Sequence, residues 1–319
     1  MTSGTRYSTP WLTGFIADLP TPFDRNDEID WASFEMLCEH QIKSDATAIV
    51  VGETMGEAST LSPAEHAAII RAAVNISRSR IAVIAGAGSN STSQAIDLTM
   101  RAEANGADAI MSVVPYYNKP MQAGILAHFQ AIAASTTLPI ILHDAPGRTA
   151  RELSDETMQR LTESAQFVGV KDGAGNVARL LRWRALLPPN FRLLTGEDST
   201  ASTYLLGGGD GCISVVSNVA PDLCRRMHEC CKQGDVECAR SLAIRLARLT
   251  AALPQDSAPA SLKYGLSLLG LMQPRLRLPL VELDETSKSS VAKAIAAVLV
   301  PNQASEARVG RRLRSNPSE

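Results

Sequence analysis

Residues 48–73 read AIVVGETMGEASTLSPAEHAAIIRAA, and they hold one complete structural unit. Ala48–Val51 are apolar at successive positions rather than at every second one, as in a strand covered on both faces. A loop leads to Ser62, Pro63 and Glu65, which supply an N-cap, a first-turn proline and the acid of a capping box. An amphipathic helix follows. The same order recurs along the chain, with strand candidates GFIADL from Gly14, IAVIAG from Ile81, AIMSVV from Ala109, PIILHD from Pro139, FVGVKD from Phe167, RLLTGE from Arg192 and GCISVV from Gly211. The helix in STSQAIDLTMRAEANGAD ends at Asn105-Gly106, a C-cap signal. Another starts at Ser154, with Asp155 and Glu156 suiting the helix dipole. Eight such units predict an α/β fold, a (β/α)8 TIM barrel. A doubly wound sheet is the competitor, but it carries a Gly-rich phosphate turn after its first strand, where this chain has PTPFDRND.

Residues 11–220 are expected to form the barrel. Residues 221–300, with helical patterns over 221–232, 235–253, 259–271 and 285–300, are expected to be a C-terminal helical extension of the same domain. Residues 1–10 and 301–319 are expected to be disordered, the latter a polar tail carrying four arginines.

The chain has 319 residues, 31 Lys+Arg against 33 Asp+Glu, a net charge of −2 and 45% hydrophobic residues. That content can bury a full core. The balance excludes a nucleic-acid binder that works by neutralising phosphates. No apolar run approaches the roughly 18–20 residues of a membrane span. The polar start MTSGTRYSTP lacks the apolar core of a signal peptide, so a cytoplasmic protein is expected. The cysteines Cys38, Cys212, Cys224, Cys230, Cys231 and Cys238 lack zinc spacing and are expected to be thiols in a reducing compartment. No GxxxxGK[ST], HExxH or GxSxG motif is present, and GAGSN and GGGDG miss the dinucleotide fingerprint. No metal or cofactor is expected.

In such a barrel, chemistry belongs at the C-terminal ends of the strands. Those positions hold Thr54, Tyr116 and Tyr117, His143 and Asp144, Arg148, Lys171, Gly196 and Glu197, and Ile213. Lys171 is the sharpest signal, a lysine in a run otherwise suited to a buried strand. It either points to solvent and pairs with Asp172, or it lies in the barrel mouth, where desolvation would lower its pKa and let the neutral amine form a Schiff base. His143 is either a hydrogen-bonded core residue or an acid/base one strand from Lys171. Arg148 caps a helix or holds a carboxylate bidentately. Tyr117 packs, or offers its hydroxyl from the Pro-bounded loop PYYNKP.

The motifs GETMGEASTLSPAEH, VIAGAGSNST, PYYNKP, APGRT, GVKDGAGN, LLTGED and GCISVVSN, in this order from about Trp11 to Val300, resemble the Schiff-base aldolase family of dihydrodipicolinate synthase and N-acetylneuraminate lyase. PGRT leans toward the former branch. The resemblance implies that Lys171 forms the Schiff base with pyruvate or another 2-oxo acid. It implies that Thr54 and Tyr117 belong to a proton relay, with Tyr117 contributed by the neighbouring subunit of a homodimer or homotetramer. Arg148 would hold the second substrate's carboxylate, Ile213 would contact pyruvate through its backbone, and Gly196 would line the pocket.

The chain departs from the family pattern at two places. His143 stands where the family has its relay tyrosine, and a histidine moves protons nearer neutrality. Met55 stands where the family has a second hydroxyl beside the pyruvate carboxylate, leaving only a backbone N–H there. At the family's allosteric lysine site His66 and Asn90 match while Pro63 and Gln94 depart, so weak lysine inhibition is expected. The partners implied are a 2-oxo acid and an aldehyde, with aspartate semialdehyde as the default because of Arg148. The alternatives are aldol cleavage or dehydration of a 2-keto-3-deoxy sugar acid or a 4-hydroxy-2-oxo acid, and a non-catalytic binding homologue.

Overall fold

The computed structural model describes residues 7–254 and 258–299. Eight parallel strands close into a barrel in sequence order: β1 (Gly14–Asp18), β2 (Ala48–Val51), β3 (Ala82–Gly86), β4 (Ala109–Val113), β5 (Ile140–Asp144), β6 (Phe167–Asp172), β7 (Arg192–Thr195) and β8 (Gly211–Ser214), which pairs back with β1. The crossovers hold α1 (Trp31–Lys43), α2 (Pro63–Ser77), α3 (Thr92–Ala104), α4 (Gln122–Ala133), the single turn α5 (Pro146–Thr149), α6 (Asp155–Thr162), α7 (Ala178–Leu186) and α8 (Ala201–Leu206). Four helices follow: α9 (Pro221–Gln233), α10 (Val236–Ala252), α11 (Ala260–Leu268) and α12 (Glu285–Leu299). This is the (β/α)8 barrel with a helical C-terminal part that the alternation predicts.

The local signals act as read. Ser62 accepts from the Glu65 N–H while the Glu65 carboxylate accepts from the Ser62 N–H, a closed capping box. Asn105 caps α3, with Gly106 beyond it at φ +84°. Ser154 caps α6. The helical pattern over 259–271 ends earlier, at Leu268, because Gly270 turns at φ +72° and Leu271 N–H returns to the Leu266 carbonyl. Of the terminal segments expected to be disordered, residues 1–6 and 301–319 lie outside the described residues.

Alternation sorts the strand residues. Ile16, Val50, Ile84, Met111, Ile141, Leu194 and Ile213 point into the lumen and pack on one another. Their neighbours Ala17, Ile49, Val51, Val83, Ile110 and Leu142 pack outward against the helices, with Phe34, Ile69, Phe129 and Trp183. Gly86 on β3 leaves room for the β2–α2 loop, since a Cβ there would lie 2.3 Å from the Gly52 carbonyl oxygen. The late helices make a separate apolar cluster of Leu223, Met227, Leu242, Leu246, Leu262 and Val291.

The expectation of six free thiols is corrected. Cys230 on α9 and Cys238 on α10 form a disulfide, because the short turn between the helices brings their Cα atoms to 5.8 Å. Cys38, Cys212, Cys224 and Cys231 are buried free thiols. Among the described residues no helix is long and apolar enough to cross a membrane.

Candidate active site

The lumen changes character at its C-terminal end. Asp18 lies two residues beyond Ile16 on β1, and His143 two beyond Ile141 on β5, so both share the inward face. A register irregularity between Ile140 and Ile141 sets β5 so that His143 pairs with Lys171 of β6. Glu53, just past β2, completes the group. All four side chains are buried.

Their contacts define a connected network. Lys171 Nζ donates to Asp18 Oδ2 at 3.0 Å and lies 3.5 Å from Glu53 Oε2. The other Glu53 oxygen, Oε1, sits 2.8 Å from His143 Nδ1. A carboxylate accepts, so Nδ1 carries the hydrogen of the neutral ring and Nε2 is the basic nitrogen. Glu53 Oε2 also accepts from the Thr54 N–H. Gly196 follows β7, and a Cβ there would press to 3.3 Å on Lys171 Cε and Cγ, so the glycine makes space for the lysine.

Two carboxylates face one ammonium, and this surplus of negative charge governs the titrations. Burial alone would lower the Lys171 pKa, but Asp18 and Glu53 more than offset it and hold the ammonium above its ordinary value. The expectation of an amine neutralised by desolvation is therefore corrected. Burial lifts Asp18 to about 7, with Lys171 opposing and Glu53 assisting. Burial would raise Glu53 too, but His143 and Lys171 hold it well below the usual carboxylate range. Burial lowers His143, against the pull of Glu53. Burial, then Asp198, pushes Glu197 up to about 7, while Lys171 and Arg148 pull it down.

The remaining residues singled out from the sequence fall in three places. Arg148, on the α5 turn, is near enough to act electrostatically on His143 and Glu197. Thr54 borders Glu53 at the mouth, but Met55 is 2% exposed and packs into the apolar cluster of the late helices. Ile213 is packed in the lumen beneath the charged layer, paired with Ile16. Tyr117 stands apart, 89% exposed on the β4–α4 loop at φ +70°. From α2, His66 Nε2–H donates to the carbonyl of Gly86 at the end of β3 at 2.6 Å, and the ring is buried.

Asp18 and Glu53 were missed from sequence. The signal for Asp18 was there, an acid in phase with the inward Ile16 at the end of a strand. Glu53 lies just past β2, in the loop before the stretch that matches the family's hydroxyl pair, where no strand phase marks it.

A closed parallel barrel with a buried lysine, histidine and two carboxylates at its C-terminal mouth defines a TIM-barrel enzyme with the equipment for amine-mediated carbonyl chemistry. Comparison with known proteins narrows the class. The chain matches the Dihydrodipicolinate synthetase family over residues 11–298. It is 43% identical to the 4-hydroxy-tetrahydrodipicolinate synthase of Hyphomonas neptunium over 285 residues, 89% of this chain and 97% of that one. It is 44% identical to the corresponding synthase of Rhizobium meliloti over 283 residues, 88% of this chain and 97% of that one. The structure superposes on dihydrodipicolinate synthase from Acinetobacter baumannii, solved with pyruvate, with a TM-score of 0.87, 38% identity and coverage of 90% and 99%. For dihydrodipicolinate synthase from Aquifex aeolicus the TM-score is 0.88, with 34% identity and coverage of 91% and 99%. The chain belongs to the dihydrodipicolinate synthetase family and is a lyase of that family.

Proposed function

We propose that the protein is a Schiff-base aldolase in which Lys171 condenses with pyruvate or another 2-oxo acid and the resulting enamine adds to an aldehyde. Aspartate semialdehyde is the default aldehyde, giving the product for which the relatives are named. The observation that carries this reading is the contact set of Lys171: a buried amine on a barrel strand, beside an acid/base histidine and a carboxylate. The route needs no cofactor, because the lysine itself supplies the electron sink.

In this reading His143 Nε2 accepts and returns the protons at carbon, in place of a tyrosine. Thr54 belongs to the proton relay, Gly196 lines the pocket, and the Ile213 backbone contacts the 2-oxo acid. Met55 offers its backbone N–H to the substrate carboxylate, since its side chain is turned into the apolar cluster. Arg148 holds the second substrate's carboxylate. Tyr117, exposed here, reaches the site of a neighbouring subunit in a cytoplasmic homodimer or homotetramer.

The Glu53–His143 pair favours a second reading of the same chemistry on a 2-keto-3-deoxy sugar acid: aldol cleavage, in which the histidine base takes the hydroxyl proton, or dehydration, in which the protonated histidine gives a proton to the leaving hydroxyl. A substrate panel decides. Pyruvate with aspartate semialdehyde should give the higher kcat/KM. Turnover of keto-deoxy sugar acids alone would transfer the assignment, and turnover of neither would reject both.

A further inference from the structure

The geometry points to Asp18 as the group that carries the protons of Schiff-base formation, leaving the Glu53–His143 pair for the proton transfers at carbon. This rests on the reading of Lys171 as the nucleophile. Two carboxylates touch the Lys171 ammonium, and their oxygens are differently employed. Both oxygens of Glu53 are engaged, Oε1 with His143 Nδ1 and Oε2 with the Thr54 N–H. Asp18 meets Lys171 through Oδ2 at 3.0 Å, while its Oδ1 is buried with no hydrogen-bond partner among the described residues. Asp18 is 1% exposed and faces the Glu53 carboxylate as well as the ammonium, and a buried carboxylate oxygen with no donor is costly unless a proton visits it.

The backbone around Asp18 is fixed. Its carbonyl accepts from Asn218 Nδ2 at 3.0 Å, and its strand is paired with both neighbours. The charged groups acting on it are Lys171 and Glu53; Lys171 acts in turn on His143 and Glu197, and Arg148 acts on those two.

The steps balance through this one residue. Asp18 takes a proton from the ammonium. The amine nitrogen attacks the carbonyl carbon, a C–N bond forms, and the carbonyl π pair moves to oxygen. Asp18 returns its proton to that oxygen, giving a hydroxyl, and takes a second proton from nitrogen. It then delivers this proton to the hydroxyl. The C–O bond breaks, water leaves and the nitrogen lone pair closes the iminium. Both protons of the water come from the original ammonium, and Asp18 ends as it began, a carboxylate.

Asp18→Asn preserves shape and removes the carrier. The probe is acetaldehyde with cyanoborohydride at pH 7, with the alkylated lysine located by peptide mass; this reads imine formation without requiring recognition of a 2-oxo acid. Labelling of Lys171 should slow by about 10²-fold or more, the usual range of a general acid–base group. The competing role predicts the opposite sign. If Asp18 only pins the ammonium, its removal frees the amine and labelling accelerates, so labelling equal to or faster than wild type overturns the assignment. Glu53→Gln should label within about threefold of wild type while turnover falls; loss of labelling there with retention in Asp18→Asn would also overturn it. Should Asp18→Asn fail to fold, Asp18→Ala with added formate replaces it. Formate-dependent recovery of labelling supports the assignment, and its absence in folded protein contradicts it. A parallel pyruvate arm separates the two readings. Wild type labelled by acetaldehyde but not by pyruvate defeats the proposed substrate class and leaves Asp18 decided by the aldehyde arm, whereas a Lys171 labelled by neither defeats both.

Discussion

The floor and the mouth of the barrel lumen are built from the same strands and hold opposite chemistry. The floor is Ile16, Val50, Ile84, Met111, Ile141 and Leu194, packed without a charge. Two residues further along β1 and β5, and on β6 beside them, come Asp18, His143 and Lys171, with Glu53 closing the ring. The charged layer is buried above this apolar floor, and in that low dielectric each charge must find its partner within the layer. The lysine is consequently more basic than a free one, not less, and its activation has to come from a neighbour that can accept its proton.

Substitutions in the two layers should break the molecule in different ways. Lys171→Ala should abolish covalent trapping of carbonyl compounds in the barrel mouth, leaving only labelling of other lysines. It should also leave two buried carboxylates uncompensated, lowering stability by about 3–5 kcal/mol, the scale of breaking a buried ion pair; mass spectrometry and urea unfolding read the two effects. Ile141→Ala, one layer below, should cost about 2–5 kcal/mol of stability as a buried cavity, yet the folded fraction should still trap its substrate. Equal loss of trapping would deny that the floor is only a floor. His143→Ala should reduce turnover by about 10²-fold or more while changing adduct formation far less, which rapid-quench kinetics would separate.

The smallest effect is on stability against pH. Asp18 sits at about 7 in the folded chain against an ordinary value of 3.8. The native state therefore binds the extra proton between those values, and this contribution to stability is lost as pH rises through about 7. Asp18→Asn should flatten that part of the profile in thermal melts at pH 5 to 8. Glu197, raised to about 7 as well, keeps a residual slope of the same sign.

The barrel was legible because burial on both faces makes each strand apolar throughout, and because Ser62, Asn105 and Ser154 mark helix ends with side chains that bond the backbone. Lys171 and His143 were legible as polar residues interrupting such runs. What they do to each other was not. The pKa of Lys171 depends on two acids distant in sequence, at positions 18 and 53, and no local pattern near residue 171 reports them. Met55 illustrates the same limit: the substitution is visible in the sequence, but only packing shows that its side chain leaves the mouth for the apolar cluster behind it. The Cys230–Cys238 bond likewise arises from how α9 and α10 fold back, which the spacing alone did not disclose.

Trapping with pyruvate tests the Schiff-base role of Lys171 most directly. The protein is incubated with pyruvate, reduced with borohydride, digested and mapped by mass. A single adduct is expected, pyruvate less one oxygen and plus one hydrogen at the lysine nitrogen, on the peptide containing Lys171, and none in Lys171→Ala. An unmodified Lys171 in folded protein, or an adduct confined to another lysine, would contradict that role.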